Sequence, residues 1–255
     1  MKQQIPNLLT LSNLFLGCIA IIYILQPGLT LTVNSEGENL VSIPEKMMWA
    51  GWFIIGAAIV DFFDGFVARL LKVPSEMGKQ LDSLADVVSF GVAPGLIAFQ
   101  FLRLSFSQDP GGLDIFFVYL LPALLIPCAG AYRLARFNID TSQQFGFKGV
   151  PIPAIGMLFA SFPILYWYNA TEWINQLILN KWVWYGQIGL SSFLMVSTLP
   201  MLALKFKGFS LKKGLPFILI VLVAGLSAFL FGWLAVSIGF FAYVILSLLF
   251  KQVES

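Results

Sequence analysis

Along its length the chain alternates long apolar runs with short polar breaks, from near the N-terminus to near the C-terminus. A run of about twenty residues rises far enough, at about 1.5 Å per residue, to cross roughly 30 Å of hydrocarbon. About eight such spans are expected, at about 8–26, 47–70, 80–107, 114–137, 151–169, 182–204, 214–231 and 233–250. The last two meet near Gly232 and could instead form one broken hairpin. Pro163 predicts a kink in the fifth span, because proline removes a backbone donor and crowds the preceding turn. The expected fold is all-α, a polytopic transmembrane helix bundle. Residues 1–255 read as one integral membrane domain, with a six-span core over 1–204 and two additional spans over 205–255.

Composition agrees. The chain is 58% hydrophobic and 11% charged, with 25 Phe and a mean hydropathy of +0.86, which places it among integral membrane proteins. The stretch Leu8–Leu25 follows a single lysine and has no A-x-A cleavage site, so it reads as a retained first span. Cys18 and Cys128 lie inside apolar runs and read as small buried hydrophobes. Histidine is absent, so a His-ligated zinc, a His-ligated haem and a His general base are excluded. A formal charge of +2 gives no reason to expect nucleic acid as a partner.

The distribution of Lys and Arg sets the orientation. With the N-terminus in the cytoplasm, Lys2, Arg69, Lys72, Lys79, Arg133, Arg136, Lys148, Lys205, Lys207, Lys212, Lys213 and Lys251 fall inside. Lys46, Arg103 and Lys181 fall outside, together with Glu36, Glu38 and Glu45 of the first outer loop. Both termini are therefore expected in the cytoplasm. Trp49, Trp52, Trp182 and Trp184 read as anchors at the membrane interface.

Four aspartates break the apolar pattern at the inner ends of spans two and three. At 100° per residue, Asp61, Asp64, Gly65 and Ala68 share one stripe, and Gly78, Asp82, Asp86 and Ser89 another. Antiparallel helices joined by a short loop are neighbours, so the four carboxylates are expected across a single cleft. Two like charges about 4 Å apart repel by roughly 4 kcal/mol at an effective dielectric near 20. Protons or cations must therefore sit among them. An all-oxygen donor set suits Mg²⁺ or Mn²⁺, with Ca²⁺ a possible occupant, and four carboxylates suffice for two ions. Gly65 and Ala68 leave room for a phosphate, and Arg69 supplies a planar cationic fork. A cation or proton pathway would also use intramembrane aspartate, but would spread acids over several spans.

The spacing D-x2-D-G-x2-A-R-x8-G-x3-D-x3-D, filled here by Asp61, Asp64, Gly65, Ala68, Arg69, Gly78, Asp82 and Asp86, resembles the signature of the CDP-alcohol phosphotransferase family. The resemblance covers roughly the first 200 residues. It implies transfer of a phosphoalcohol group from a CDP-linked donor to an alcohol, with release of CMP, at a two-metal site. It assigns Asp61, Asp64, Asp82 and Asp86 to the metals, with Asp86 also the general base. It assigns the CDP-lipid to Gly65, Ala68, Arg69, Ser75 and Gly78. "PNLLTLSN" looks like the family's short interfacial element, from which Asn7 and Thr10 reach the nucleotide. A homodimer is also implied.

Two further stretches, "SFGVAPG" and "YRLARFNID", are similar to the phosphatidylserine synthase branch of that family. That branch implies CDP-diacylglycerol and L-serine as substrates and phosphatidylserine and CMP as products. The charge distribution puts the site at the cytoplasmic face, and the expected location is a bacterial inner membrane. Arg133 and Arg136, at i,i+3, are then candidates to hold the serine carboxylate, with Asn138 adding a hydrogen bond. Snorkelling toward the interface is the other reading of these arginines. A related enzyme using glycerol 3-phosphate or an inositol phosphate, an archaeal-type ether-lipid donor, and an ion transporter are the alternatives.

Overall fold

A computed structural model describes residues 4–26, 28–33, 39–71, 75–109, 111–140, 147–168, 171–202 and 211–250. Lys2, Glu36, Glu38, Lys72, Lys205, Lys207 and Lys251 lie outside the described residues, as do the side chains of Lys212 and Lys213. The architecture is an almost entirely helical bundle. Its helices are α1 (Gln4–Leu25), α2 (Met47–Leu71), α3 (Glu76–Asp86), α4 (Ala93–Ser107), α5 (Leu125–Ile139), α6 (Ile152–Tyr168), α7 (Glu172–Ile178), α8 (Lys181–Val196), α9 (Leu211–Phe231) and α10 (Leu234–Leu249). Two small antiparallel ribbons complete it, β1 (Thr30–Val33) with β2 (Asn39–Ser42) and β3 (Phe147–Lys148) with β4 (Pro200–Met201).

The first two helices show why the apolar exterior and the polar interior coexist. The buried face of α1 is Pro6, Thr10, Asn13, Gly17, Ala20 and Ile24, a stripe stepping by four and three residues. Its larger apolar side chains, such as Leu8 and Phe15, face outward. The outward face of α2 likewise carries Phe62, Phe63 and Phe66, while Asp64 is buried. This inversion is expected where lipid is the solvent, because helices there associate through small and polar contacts. Gln4–Leu25 and the continuous helical stretch Glu76–Ser107 are each long and apolar enough to cross a membrane, and Ile152–Tyr168, Leu215–Phe231 and Leu234–Leu249 are apolar but shorter.

Several expected spans differ from the observed helices. The fourth is helical only from Leu125, after short 3₁₀ turns at Gly112–Asp114, Phe117–Tyr119 and Leu121–Leu124. Pro122 and Pro127 explain the delay, since a missing N–H is tolerated only in a first turn. The sixth ends at Val196, and Pro200 then starts the strand that pairs with Phe147–Lys148. The segment "PNLLTLSN" is not a separate element but the first turns of α1. The seventh and eighth are distinct helices that reverse at Gly232, whose φ of 56° is the left-handed region that glycine enters without strain. Helix α6 continues through Pro163 to Tyr168. Cys18 and Cys128 are free, as expected, but exposed rather than buried.

Trp184 is also corrected: it is core, not an interface anchor. It stacks on Phe101 at 4.8 Å between ring centroids, meets Phe162 edge-on at 4.8 Å, and donates from Nε1 to Ile178 O at 2.7 Å. Trp182, two residues earlier, is exposed.

A candidate active site between three helices

Asp86 ends α3, and the chain passes into one π-helical turn, Val87–Val92, before α4 begins. Such turns insert a residue into the helical ladder and redirect the side chains beside them. This one is clamped on both sides. A Cβ on Gly17 of α1 would stand 2.3 Å from Ser89 Oγ, and one on Gly156 of α6 would stand 2.7 Å from Phe90. Ser89 Oγ also donates to Asn13 O at 3.1 Å. The turn that follows Asp86 is thus held by close contacts with α1 and α6.

Helices α1, α2 and α3 then bring the acids together. One carboxylate oxygen from each of Asp61, Asp64 and Asp82 lies within 4.8 Å of the other two. Thr10 Oγ1 donates to Asp64 Oδ2 at 2.6 Å. Asn13 Nδ2 lies 3.4 Å from Asp61 Oδ1 and 3.5 Å from Asp86 Oδ1. Asp61 is the hub, within reach of both Asp82 and Asp86. Asp86 stands beside this trio and meets it at Asp61.

The trio fits a hard divalent cation. Ligand oxygens across an octahedral ion lie roughly 4.2 Å apart at Mg–O distances near 2.1 Å, and somewhat further for Ca²⁺. The donor set is all carboxylate oxygen, with no histidine in the chain and both cysteines on the exposed surface. The chemistry excludes a soft ion and suits Mg²⁺, Mn²⁺ or Ca²⁺.

Next to the acids is a cavity of about 520 Å³, lined by Asn7, Thr10, Asp64, Gly65, Ala68, Ser75, Gly78 and Asp82 among others. That volume lies within the range of small-molecule sites. Ser75 caps α3, its Oγ accepting from Gly78 N at 3.0 Å. Asn7 packs so near that a Cβ on Gly78 would stand 3.1 Å from its Oδ1. Arg69 is exposed and lies along Gly65, 3.6 Å from where a Cβ would be. Thr10 lines the same cavity, with its hydroxyl turned to Asp64.

The three residues expected at the serine carboxylate separate. Arg133 is 6% exposed, its Nε has no partner, and Asp86 and Tyr243 are its electrostatic neighbours. Arg136 instead donates to three backbone carbonyls, Val196 O at 2.6 Å, Ser197 O at 2.9 Å and Lys148 O at 3.4 Å. Its fork holds the end of α8 and the β3 strand. Asn138 Nδ2 donates to Ser83 Oγ at 2.8 Å, and its carbonyl accepts from Lys79 at 3.1 Å. Arg136 and Asn138 are thus held by other parts of the bundle, while Arg133 is buried with Asp86 as an electrostatic neighbour. Ser83, next to Asp82 in the chain, bonds to Asn138, and Ser89, on the stripe of Asp82 and Asp86, bonds to Asn13 O.

Asn13 is the site residue that the helical stripes of the aspartates did not reveal. Its signal is the α1 stripe itself, in which Asn7, Thr10, Asn13 and Gly17 interrupt an apolar helix at spacings of three and four. Polar groups so spaced in a hydrophobic span face the bundle rather than lipid.

A helical bundle with paired acids, a cationic fork and a cavity at one end defines a phosphate-handling membrane protein. The family model for CDP-alcohol phosphatidyltransferases matches residues 3–193, and the chain belongs to that family. It is 37% identical over 155 residues to the CDP-diacylglycerol–serine O-phosphatidyltransferase of Helicobacter pylori, a match covering 60% of this chain and 54% of that protein. The enzyme of the same name from Bacillus subtilis is 33% identical over 195 residues, covering 76% of this chain and 88% of that one. The archaetidylserine synthase of Methanothermobacter thermautotrophicus is 31% identical over 152 residues, covering 58% of this chain and 61% of that one. The match thus spans about half the length of the Helicobacter relative and most of the Bacillus one.

Proposed function

We propose that this chain makes phosphatidylserine and CMP from CDP-diacylglycerol and L-serine. The observation that carries the proposal is the trio of aspartates with Asp86 beside it, and the buried Arg133 as an electrostatic neighbour of Asp86. The names of the relatives support the choice of acceptor. In this reading the CDP-lipid occupies the cavity. Its nucleotide is received by Asn7, Ser75 and Gly78, and its phosphates lie over the small residues Gly65 and Ala68 with Arg69 at their flank. Asp61, Asp64 and Asp82 would hold Mg²⁺ or Mn²⁺. When bound, the cation neutralises charge on the diphosphate, and two such ions are expected with Asp86 contributing to the second.

Serine enters on the Arg133 side, where the guanidinium takes its carboxylate. Asp86 accepts the proton of the serine hydroxyl. The serine oxygen forms a bond to the phosphorus that carries diacylglycerol, and the bond from that phosphorus to the bridging oxygen breaks. CMP leaves with that electron pair. Arg69 offsets the negative charge that grows on the departing phosphate. The predominance of basic residues on one set of loops supports a cytoplasmic site in a bacterial inner membrane. The bilayer supplies the lipid substrate, and a second copy of the chain is the expected partner.

The test is CMP release by purified protein given CDP-diacylglycerol, Mg²⁺ or Mn²⁺, and one acceptor at a time. The expected result is release with L-serine, abolished by EDTA and restored by the added ion. Release only with glycerol 3-phosphate or an inositol phosphate would overturn the acceptor, and release only from an ether-lipid donor would overturn the diacylglycerol. No release with any alcohol would overturn the reaction. Titration of the apo-protein with Mn²⁺ counts the ions.

A further inference from the structure

Asp61, Asp64 and Asp82 form a close trio of carboxylates, and Asp86 stands beside it. Asn13 is the residue that touches both parts, and it has no exposed surface. Its amide nitrogen stands 3.4 Å from Asp61 and 3.5 Å from Asp86. The orientation follows from the partners, because carboxylate oxygens accept and only the NH₂ end of an amide donates. The cost of that orientation is visible, since Asn13 Oδ1 is buried with no partner. An acceptor left unsatisfied in a packed interior calls for an explanation, and placement of the two N–H donors supplies one. Its backbone carbonyl meanwhile receives Ser89 Oγ at 3.1 Å, so the same residue grips the π-turn that follows Asp86.

We propose that Asn13 is a positioning residue that holds the Asp86 carboxylate at the edge of the metal trio, where it can receive the acceptor's proton. This rests on the phosphotransferase reading for its readout but adds a residue and a role to it. Without the two N–H donors, the neighbouring carboxylates of Asp61 and Asp86 lose the donor they share, and Asp86 turns away from the reacting hydroxyl. Within the trio Asp64 keeps its bond from Thr10 and only Asp61 loses a donor, so ion binding suffers less than turnover.

The experiment uses full-length wild type, Asn13→Ala and Asn13→Asp in the same detergent. It measures kcat, KM for both substrates and, independently of turnover, Mn²⁺ affinity by calorimetry. Asn13→Ala is expected to lose roughly 10–100-fold in kcat, the range for groups that orient a site's direct ligands, with a clearly smaller loss of Mn²⁺ affinity through Asp61 and KM for the CDP-lipid near wild type. Asn13→Asp replaces the donor by a fifth carboxylate of the same shape. It is expected to bind Mn²⁺ more tightly and to turn over more slowly still. Wild-type kcat in Asn13→Ala overturns the inference. So does a loss of Mn²⁺ affinity in proportion to kcat, which would make Asn13 general packing. If Asn13→Ala does not fold, Asn13→Asp decides alone, and wild-type turnover in it is fatal to the inference. A wild-type protein that releases no CMP with any acceptor refutes the phosphotransferase reading instead, an outcome distinct from these.

Discussion

Two regions of the bundle, roughly 22 Å apart along the continuous α3–α4 helix, are built on opposite principles. Around Asp61, Asp64, Asp82 and Asp86, like charges crowd together and two buried polar atoms, Asn13 Oδ1 and Arg133 Nε, lack partners. Around Trp184, rings from α4, α6 and α8 stack and tilt on one another, and the indole N–H is satisfied. Each aromatic pair adds about 0.5–1.5 kcal/mol beyond the burial of its surface. The acid end is costly and the aromatic end is cohesive. A single helix carries both, so stability gained at one end offsets what the other end spends on chemistry.

That contrast can be broken from either side. The largest effect is expected for Asp86→Asn. It keeps the shape and removes the base, so kcat should fall by about 10²–10⁴-fold with no fall in melting temperature, as turnover and thermal unfolding would show. Retained turnover would remove Asp86 from the chemistry. Trp184→Ala should do the converse. A loss of about 3–5 kcal/mol in stability, read from denaturation in detergent, should leave activity per folded molecule nearly intact.

Smaller effects sharpen the boundary between site and scaffold. Arg133→Ala should raise KM for serine roughly 10–100-fold, as removal of a charge-assisted hydrogen bond of about 1.5–3 kcal/mol predicts, with KM for the CDP-lipid little changed. Arg136→Ala should lower stability and leave KM for serine alone, because its guanidinium holds backbone carbonyls. A rise in serine KM for Arg136→Ala but not Arg133→Ala would reverse the assignment. The smallest effect is expected for Asp82→Asn in metal-free protein. Removing one like charge should stabilise the fold by about 1 kcal/mol while weakening Mn²⁺ binding, measured on the same samples by melting and calorimetry.

The sequence makes the acid end more legible than the scaffold around it. Helical periodicity places Asp61 and Asp64 on one stripe and Asp82 and Asp86 on another, and spacing alone makes those stripes neighbours. It cannot say what a side chain meets across the gap. Arg133 and Arg136 are equivalent by i,i+3 spacing, yet one is buried as an electrostatic neighbour of Asp86 and the other donates to the end of α8. Trp182 and Trp184 both sit in the first turn of a helix, and only the packing of Phe101 and Phe162 sends the second inward. The late start of α5 is signalled by Pro122 and Pro127, which hydropathy alone overlooks. The π-turn after Asp86 leaves no mark in the apolar pattern. It depends on backbones meeting at Gly17 and Gly156, which belong to other helices.

Helix α2 alternates between two solvents within six residues. Asp61 and Asp64 turn to the ionic interior, and Phe62, Phe63 and Phe66 to the exterior. The azimuth of that helix is therefore a functional coordinate in its own right. One residue inserted upstream, near Gly56, would rotate everything below it by about 100°, carrying carboxylates toward hydrocarbon and phenyl rings toward the cations. Phase, more than depth, is what this helix has to get right.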